Sequence, residues 1–418
     1  MGKLSTESQG ASRVTWDHLE EWVREKVQEL MQALLEEEVT ELLGRGKSAR
    51  RQAVDPDESG PGYRNSYGKE RRLTLSCGAI KVRRPRVRGL EQRFESRVLL
   101  LSARRTREVD QLIPELYLHG LAAGDFDLAL RGLLGEDAPI SASTVARLKE
   151  KWQGELKEWK GRSLAELEVA YLWVDGVYVK AGLEKEKAVL LVVLGGLSDG
   201  RKVLLALESG YRESTESWLG VLRDLKGRGM DRPKLVVGDG NLGLWGALGQ
   251  VFPEACEQRC WNHKMVNVLD KLPKKVQWEA KGQLQKVAYA PTLAQAEQGR
   301  KQFVQWCAKG DYKGAAATLE RDWGKMVSFY QFPKDHWRRL RTTNPIESPF
   351  ATLRLRTDAA KWFKKVENAT AVIFKMLLLA EGRFRRLNAP ERMKQVYLGA
   401  QFQGGIEVKQ EVLQELAA

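Results

Sequence analysis

The sequence predicts an α/β protein with a mixed five-stranded β-sheet, an all-α insertion and mostly helical N-terminal domains. Three observations support this fold class. Three apolar strands follow one another with short connections, as antiparallel neighbours do. A helical segment then leads to a fourth strand, and such a crossover places that strand parallel to an earlier one. Beyond the fifth strand, the chain shows helical spacing of apolar residues and no strand pattern.

The strands are predicted from apolar runs with Gly, Pro or acidic boundaries. They cover residues 169–175, 188–197, 202–207, 233–239 and 255–261. Asp199-Gly200 is a typical turn between the second and third strands. Helices are predicted over residues 214–226, between the third and fourth strands, and 242–251, between the fourth and fifth.

Changes in composition divide the chain into segments. We predict disorder at residues 1–12 and, at 13–44, a long amphipathic helix suited to dimerisation. The segments that follow are a basic DNA-binding region with a short hairpin at 45–103, a helical DNA-binding domain at 104–160, an α/β core in two parts at 165–262 and 341–400, a helical insertion at 263–340 and a tail at 401–418.

The positive charge is concentrated near the N-terminus. The whole chain carries +14, and residues 45–107 contain 18 Lys/Arg and 6 Asp/Glu, a local balance of +12. A solvated basic face would give the same composition, but clustered cations favour contact with nucleic acid through release of counterions. The candidate DNA contacts around the hairpin are Arg64, Arg71, Arg72, Arg83, Arg84, Arg86 and Arg88.

Residues 121–147 are similar to a helix-turn-helix motif. In that motif the second helix presents polar residues from its N-terminus to the major groove of DNA. Ser143, Thr144 and Arg147 are the residues that would be presented. A helical bundle whose third helix is capped by serine explains the pattern equally well.

The cysteine content and hydropathy predict a cytoplasmic protein without membrane contact. Four cysteines in 418 residues do not make a disulfide framework, so a reducing compartment is expected. The longest apolar run, residues 188–197, is too short to span a bilayer. The N-terminal residues lack the apolar segment of a secretion signal.

Two of the predicted strands end in Asp-Gly, at Asp175 and Asp239. If these strands are adjacent and parallel, both carboxylates reach the crevice at the strand ends, where open α/β sheets bind ligands. An Asp before Gly is also a common turn former. A third acid, Glu347, follows a predicted helix start with Asn344 as the cap and Pro345 at the first helical position. Glu347 could instead be the glutamate of a capping box.

Three carboxylates in one site favour hard divalent cations. Oxygen ligands suit Mg²⁺, with Mn²⁺ as a substitute. Two such ions about 3.5–4 Å apart support in-line displacement at phosphorus. Cys260 and His263 invite a zinc interpretation, but structural zinc takes four ligands and no second Cys/His pair lies nearby, so no zinc is expected. Cys260 is predicted in the core, and His263 near the acids. Five tryptophans are predicted to be mostly core, with one available to stack on DNA: Trp261, Trp278, Trp306, Trp323 and Trp337.

Eight ordered segments resemble bacterial insertion-sequence transposases of the Mutator-type family. They cover residues 62–67, 83–88, 113–120, 171–176, 210–214, 237–240, 258–263 and 340–357. The resemblance implies an RNase H-like core in which Asp175, Asp239 and Glu347 form the acidic DDE triad and hold two Mg²⁺ ions. It also implies that Cys260 and His263 form the family's Cys-x-x-His signature, and that Arg354 is its basic residue seven positions after the glutamate.

The resemblance further implies a bacterial, nucleoid-associated DNA transposase. Such an enzyme binds the terminal inverted repeats of its element, cleaves the element ends by metal-dependent hydrolysis and joins the 3′-OH to target DNA. A homodimer or higher oligomer is expected because two ends must be joined. Two alternatives remain open: an RNase H-like structure-selective nuclease or resolvase, and a non-catalytic DNA-binding protein derived from a transposase.

Overall fold

The computed structural model describes residues 15–49, 62–122, 125–134, 142–182, 188–210, 213–360 and 362–408. The predicted disordered segment at residues 1–12 lies outside them. The chain divides into two compact units, Met1–Leu148 and Lys149–Ala418. All four cysteines lie in the described part and are free thiols. Within this part, no helix is both long and apolar enough to cross a bilayer.

The first unit is built on a helix and a long β-hairpin. Helix α1 (Leu19–Leu43) ends at Gly44, which has a left-handed conformation. Strands β1 (Tyr63–Leu75) and β2 (Gly78–Arg88) pair antiparallel and extend much farther from the Cys77-Gly78 turn than the predicted short hairpin. Bulges interrupt the ladder and allow this length. Part of the apolar face of α1 packs on the hairpin, around Leu35, Leu73, Ile80, Val82 and Leu99.

Three helices follow the hairpin, within the segment 104–160 that the sequence predicts to be helical. Helix α2 (Arg107–Leu118) and helix α3 (Phe126–Leu134) bury apolar side chains along one face. Helix α4 (Ala142–Lys160) is the longest of the three. Its C-terminal part belongs to the second unit, where Lys375 donates to Glu155 at 2.8 Å.

The second unit contains the predicted mixed five-stranded sheet, which is thereby confirmed. The strand order is β5-β4-β3-β6-β7. Strands β3, β4 and β5 pair antiparallel, whereas β6 pairs parallel to both β3 and β7. The strand bounds are β3 (Val169–Val179), β4 (Ala188–Leu197), β5 (Lys202–Gly210), β6 (Leu235–Gly238) and β7 (Cys256–Arg259).

Alternation along β3 assigns its side chains to two faces. Leu172 and Val174 join the core formed by α5 (Thr215–Gly227) and α6 (Leu242–Val251). Tyr171 and Trp173 point the other way, where their polar atoms bond to His336 and to the carbonyl of Arg339, both at 2.9 Å. Asp175 is two residues beyond Trp173, so its side chain is directed to the same face as Tyr171 and Trp173, the face that carries residues 332–339.

The segment between β7 and the C-terminal helices is helical. It comprises α7 (Trp261–Leu269), α8 (Lys274–Ala288), α9 (Leu293–Lys309), α10 (Lys313–Glu320), α11 (Trp323–Val327) and α12 (Trp337–Leu340), with 3₁₀ turns at Ser328–Gln331 and Lys334–His336. Buried residues such as Leu284, Phe303 and Leu319 give it a core of its own.

Three helices and a small hairpin end the described chain. The helices are α13 (Asn344–Ala360), α14 (Val366–Glu381) and α15 (Pro390–Leu398). Strands β8 (Phe402–Gln403) and β9 (Ile406–Glu407) form a hairpin where the sequence indicated only a tail. The backbone of Gly405 in its turn bonds to Tyr330 and Lys334, which a short polar sequence gives no means of predicting.

Candidate active site

The structure places Asp175 and Asp239 at the same level of two adjacent parallel strands. Trp173 on β3 and Val237 on β6 are Cα partners. Asp175 lies two residues beyond Trp173 and Asp239 two residues beyond Val237, so both carboxylates emerge on the same side of the sheet. Asp239 directly follows the end of β6, but the predicted end of β3 at Asp175 is wrong, because β3 continues to Val179 and stays paired with β4. Neighbouring strands are about 4.8 Å apart, which brings the two acids into one crevice.

Asp239 shapes a turn, as the alternative interpretation expects, whereas Asp175 lies within β3. Asp175 Oδ1 accepts the N–H of Gly176 at 2.8 Å, and Asp239 Oδ1 accepts that of Asn241 at 2.9 Å. Gly240 has a φ of +103°, and the Arg259 guanidinium occupies the place of a Cβ. The Asp-Gly pattern after β6 therefore has a steric cause in addition to any chemical role.

Glu347 lies on the first turn of α13, whose cap differs from the prediction. The carbonyl of Thr343 accepts the N–H of Glu347 at 2.9 Å, so Thr343 is the cap and Asn344 is already helical. The Asn344 side chain instead accepts from Asn262 at 2.9 Å. The capping-box interpretation of Glu347 is wrong, because the Thr343 N–H donates to Cys260 Sγ at 3.3 Å while its hydroxyl bonds to the Glu347 carboxylate.

Cys260 and His263 connect Glu347 to the end of the sheet. The N–H of Cys260 donates to the carbonyl of Gly238, directly before Asp239, at 2.7 Å. Cys260 is fully buried, and His263 Nδ1 lies 3.9 Å from Glu347 Oε1. Glu347 is thus brought beside the strand end that carries Asp239, although the whole helical segment separates them in the chain.

The electrostatics of the crevice follow from burial and from the crowding of acids. Burial, together with the charges of Asp239 and Glu347, raises the pKa of Asp175 to about 7. Contact with Cys260 and the charges of Glu347 and Asp175 raise the pKa of His263 to about 9. A protonated His263 therefore offsets part of the negative charge at neutral pH.

The donor groups fit a hard divalent cation. Asp175, Asp239 and Glu347 offer carboxylate oxygens, and a cation would relieve the cost of burying acids together. Cys260, His263 and Glu347 have donor atoms within 4.8 Å of one another, a trio that the sequence analysis missed. The Cys260 sulfur of this trio already accepts the N–H of Thr343, and Asp175 and Asp239 are not part of the trio.

Arg354 lies on α13 seven residues after Glu347, and its side chain is exposed. The contacts recorded for Glu347 in the described residues are with Thr343 and His263, not with Arg354. The implied role of Arg354 as a neighbour of the active site therefore stays a prediction.

Several of the arginines predicted to bind DNA make contacts within the first unit. Arg64 pairs with Glu36 at 2.6 Å and bonds to Thr40 at 2.7 Å. The Arg71 guanidinium bonds to the carbonyls of Leu100 and Ala103. Arg84 bonds to the carbonyl of Phe94, and burial lowers the pKa of its guanidinium. The side chains of Arg72, Arg83, Arg86 and Arg88 are exposed.

On α4, the three predicted groove contacts differ in exposure. Ser143 and Arg147 are exposed, whereas Thr144 is buried at 8% exposure. Burial of Thr144 follows from its place on the inner face of α4, next to Val145, which is 1% exposed.

Three residues close to the acids were missed by the sequence analysis: Glu213, Asn241 and Tyr178. Asn241 caps α6, and Asn241 Nδ2 donates to Glu213 at 3.1 Å. Burial and the charge of Asp239 raise the pKa of Glu213. The Asp-Gly-Asn sequence before an apolar helix is a capping signal that could have identified Asn241.

The five tryptophans do not all belong to the core. Trp261 and Trp337 are buried at 1% and 3% exposure, but Trp278 on α8 is 87% exposed. The apolar spacing of α8 places Ala280, Leu284 and Val287 inside. Trp278 is therefore on the outer face of that helix.

Comparisons with known proteins decide the family. The family model described as "Transposase, Mutator family" matches residues 2–385. The chain belongs to the Mutator family of transposases. It is 44% identical over 298 residues to the transposase for insertion sequence element IS6120 of Mycolicibacterium smegmatis, a match that covers 71% of this chain and 92% of the relative.

Two other Mutator-family relatives show the same likeness. The transposase for insertion sequence element IST2 of Acidithiobacillus ferrooxidans is 40% identical over 281 residues, covering 66% of this chain and 94% of the relative. The transposase for insertion sequence element ISRM5 of Rhizobium meliloti (strain 1021) is 30% identical over 378 residues, covering 88% of this chain and 90% of the relative.

Proposed function

We propose that this transposase moves an insertion sequence. It binds the terminal inverted repeats, hydrolyses DNA at the element ends and joins the freed 3′-OH to target DNA. The observation that carries the proposal is the convergence of Asp175, Asp239 and Glu347 at one end of the sheet. Asp175 lies on β3, Asp239 follows the end of the adjacent parallel strand β6, and Glu347 is tied to the end of β6 through Thr343 and Cys260. The names of the relatives, all transposases of insertion sequences, agree with this.

The core is proposed to be RNase H-like, with the helical segment 263–340 as its insertion. Support comes from the sheet, in which three antiparallel strands are followed by two parallel ones. The crossover through α5 between β5 and β6 is what returns the chain to the centre of the sheet. The same topology supports a site in which Asp175 on β3 and Asp239 after β6 meet Glu347 from α13.

The three carboxylates would hold two Mg²⁺ ions, with Mn²⁺ as a substitute. When bound, the ions supply Lewis-acid activation of the attacking oxygen and stabilisation of the leaving oxygen. Asp175 and Asp239 fix the site on the rigid sheet, and Glu347 closes it from the helix. His263 holds a proton beside Glu347 and offers positive charge to the approaching phosphate.

DNA binding is proposed for residues 45–160, because their basic excess can neutralise phosphates. The exposed arginines of the hairpin and Arg147 on α4 are the contacts that this proposal favours. A homodimer or larger assembly, with α1 contributing, would hold two ends together. A place in the bacterial cytoplasm, at the nucleoid, fits an enzyme that acts on DNA.

The proposal is tested with DNA that carries the gene and its natural flanks. The full-length protein is incubated with this DNA and Mn²⁺, and new 3′ ends are mapped. Breaks with a 3′-OH at two fixed positions flanking the gene support transposase action. Cutting of branched DNA without regard to these positions would instead indicate a structure-selective nuclease or resolvase. Full transposition by Asp239→Asn would indicate a non-catalytic role.

A further inference from the structure

We propose that Glu213 is a positioning residue of the active site, holding the Asp239 turn in place through Asn241. This inference rests on the proposed function, because it assumes that Asp239 is a metal ligand. Glu213 immediately precedes α5, whose cap is Ser214, and it lies in a different loop from each of the three acids. Nothing in its local sequence marks it, since an acid before a helix is ordinarily a favourable neighbour of the helix dipole.

A chain of hydrogen bonds leads from Glu213 to Asp239. Glu213 Oε2 accepts from Asn241 Nδ2 at 3.1 Å. The backbone N–H of Asn241 donates to Asp239 Oδ1 at 2.9 Å, and Asn241 Oδ1 accepts the N–H of Gly243 at 2.7 Å. Asn241 is therefore held at its amide nitrogen, its amide oxygen and its backbone. The turn holds the backbone N–H and the helix cap holds the amide oxygen, so the amide nitrogen is the group that Glu213 holds.

The Glu213 carboxylate also lies against the part of β3 that follows Asp175. A Cβ on Gly176 would collide with Glu213 Oε1, so a side chain at position 176 would displace the carboxylate. Tyr178, on the same strand as Asp175, hydrogen-bonds to Glu213 as well. One carboxylate thus contacts β3 just beyond Asp175 and the turn that carries Asp239.

The backbones of the two loops are in direct contact. A Cβ on Gly243, at the start of α6, would lie 2.8 Å from backbone atoms of Glu213, Ser214 and Thr215. This close approach fixes the distance between Glu213 and Asn241. Hydrogen-bonded partners of ligating carboxylates fix their orientation, and the loss of such partners typically weakens metal affinity about 10–100-fold.

The test measures binding of Mn²⁺ by the full-length protein, using the paramagnetic resonance signal of free Mn²⁺. Glu213→Ala is expected to weaken binding about 10–100-fold. Glu213→Gln keeps an oxygen that can accept from Asn241, so it should retain affinity within about threefold of wild type. The matched control is Glu216→Gln, an exposed acid one helical turn on, which should bind as wild type does.

Asn241→Ser tests the proposed route. Serine retains a helix cap but lacks the amide N–H₂ that donates to Glu213, so it should weaken binding like Glu213→Ala. The double variant should be no weaker than the worse single one, because both break the same connection. Thermal unfolding of each variant separates loss of fold from loss of positioning, and a folded Glu213→Ala is required for the comparison.

Two outcomes would overturn the inference. A folded Glu213→Ala with wild-type affinity would show that the contact does not position Asp239. A Glu213→Gln as weak as Glu213→Ala would show that the charge matters and that Glu213 is itself a ligand. Failure of the proposed function looks different: Asp239→Asn would then bind Mn²⁺ as the wild type does, whatever Glu213 variants do.

Discussion

Thr343 lies against Cys260: its backbone N–H donates to Cys260 Sγ at 3.3 Å, and its hydroxyl is 3.2 Å from the same sulfur. This contact joins the start of α13 to the end of β7. Because Thr343 also bonds to the carboxylate of Glu347, the sulfur and the acid share one neighbour. A helix that returns after a long helical segment is thereby fixed at the edge of the sheet where the aspartates lie.

Removal of this sulfur should affect the site more than the fold. We expect Cys260→Ala to lower DNA cleavage about tenfold or more, since Glu347 loses the support of its cap. Cys307→Ala is the matched control, because Cys307 is also fully buried but lies on α9 in the helical segment. The measurement compares cleavage rates at matched folded fractions. Equal rates for the two variants would contradict the role of Cys260.

Removal of a buried and of an exposed tryptophan in the helical segment should change the stability of the protein by different amounts. Trp261→Ala should cost about 3–5 kcal/mol of unfolding free energy, because the ring is 1% exposed and its N–H donates to the carbonyl of Met326. Trp278→Ala should change the unfolding free energy by less than about 0.5 kcal/mol. Urea titration of both variants measures this difference. Similar losses in both variants would place Trp278 in the core after all.

Stability should fall in mild acid because of His336. Burial lowers the pKa of His336 below its usual 6.5, although the carbonyls of Ala389 and Asn388 act in the opposite direction. The unfolded chain therefore binds a proton near pH 6.5 that the folded chain resists. Stability contributed by the neutral ring is present above that pH and is lost as the pH falls below it.

The measurement is the midpoint of thermal unfolding at about pH 7.5 and about pH 5.5. Acidification should lower the unfolding midpoint of the wild type more than that of His336→Gln, which has no titrating group at this position. An equal loss in both proteins would show that His336 does not resist protonation in the fold.

Two arginines of the hairpin should separate DNA binding from stability. Arg86→Ala should weaken DNA binding and reduce the slope of log affinity against log salt by about 1, with little change in stability. Arg64→Ala should instead lower stability, because Arg64 is engaged with Glu36 and Thr40. Binding titrations at several salt concentrations, with unfolding curves, distinguish the two. An unchanged salt slope in Arg86→Ala would count against Arg86 as a phosphate contact.

The sheet could be predicted because each of its strands is marked by a pattern within a short stretch of sequence. Apolar runs such as residues 188–197 are readable as buried strands, and the crossover rule then makes β6 parallel to its neighbour. The long hairpin was less predictable, since residues such as Arg64 and Tyr67 are polar. Their place in β1 depends on contacts with Glu36, which lies far away in the chain.

The three acids were proposed from the sequence as ends of two strands and the start of a helix; the structure keeps Asp239 after β6 and Glu347 on the first turn of α13 but continues β3 past Asp175. The residues that support these acids could not be predicted. Thr343 was passed over as the cap because Asn344 is the stronger local signal, and only the tertiary contact with Cys260 decides between them. Glu213 was missed for the same reason. Its partners, Asn241 and Tyr178, belong to other elements, and no spacing within the sequence connects them.

The central claim is that Glu347 completes a metal-dependent site with Asp175 and Asp239. The most direct test is strand cleavage at the element ends in Mn²⁺ by three proteins: wild type, Glu347→Gln and the control Glu320→Gln, whose glutamate is exposed on α10. The account predicts cleavage by wild type and by Glu320→Gln, and a loss of at least about a hundredfold in Glu347→Gln. Cleavage by Glu347→Gln at the wild-type rate would contradict it.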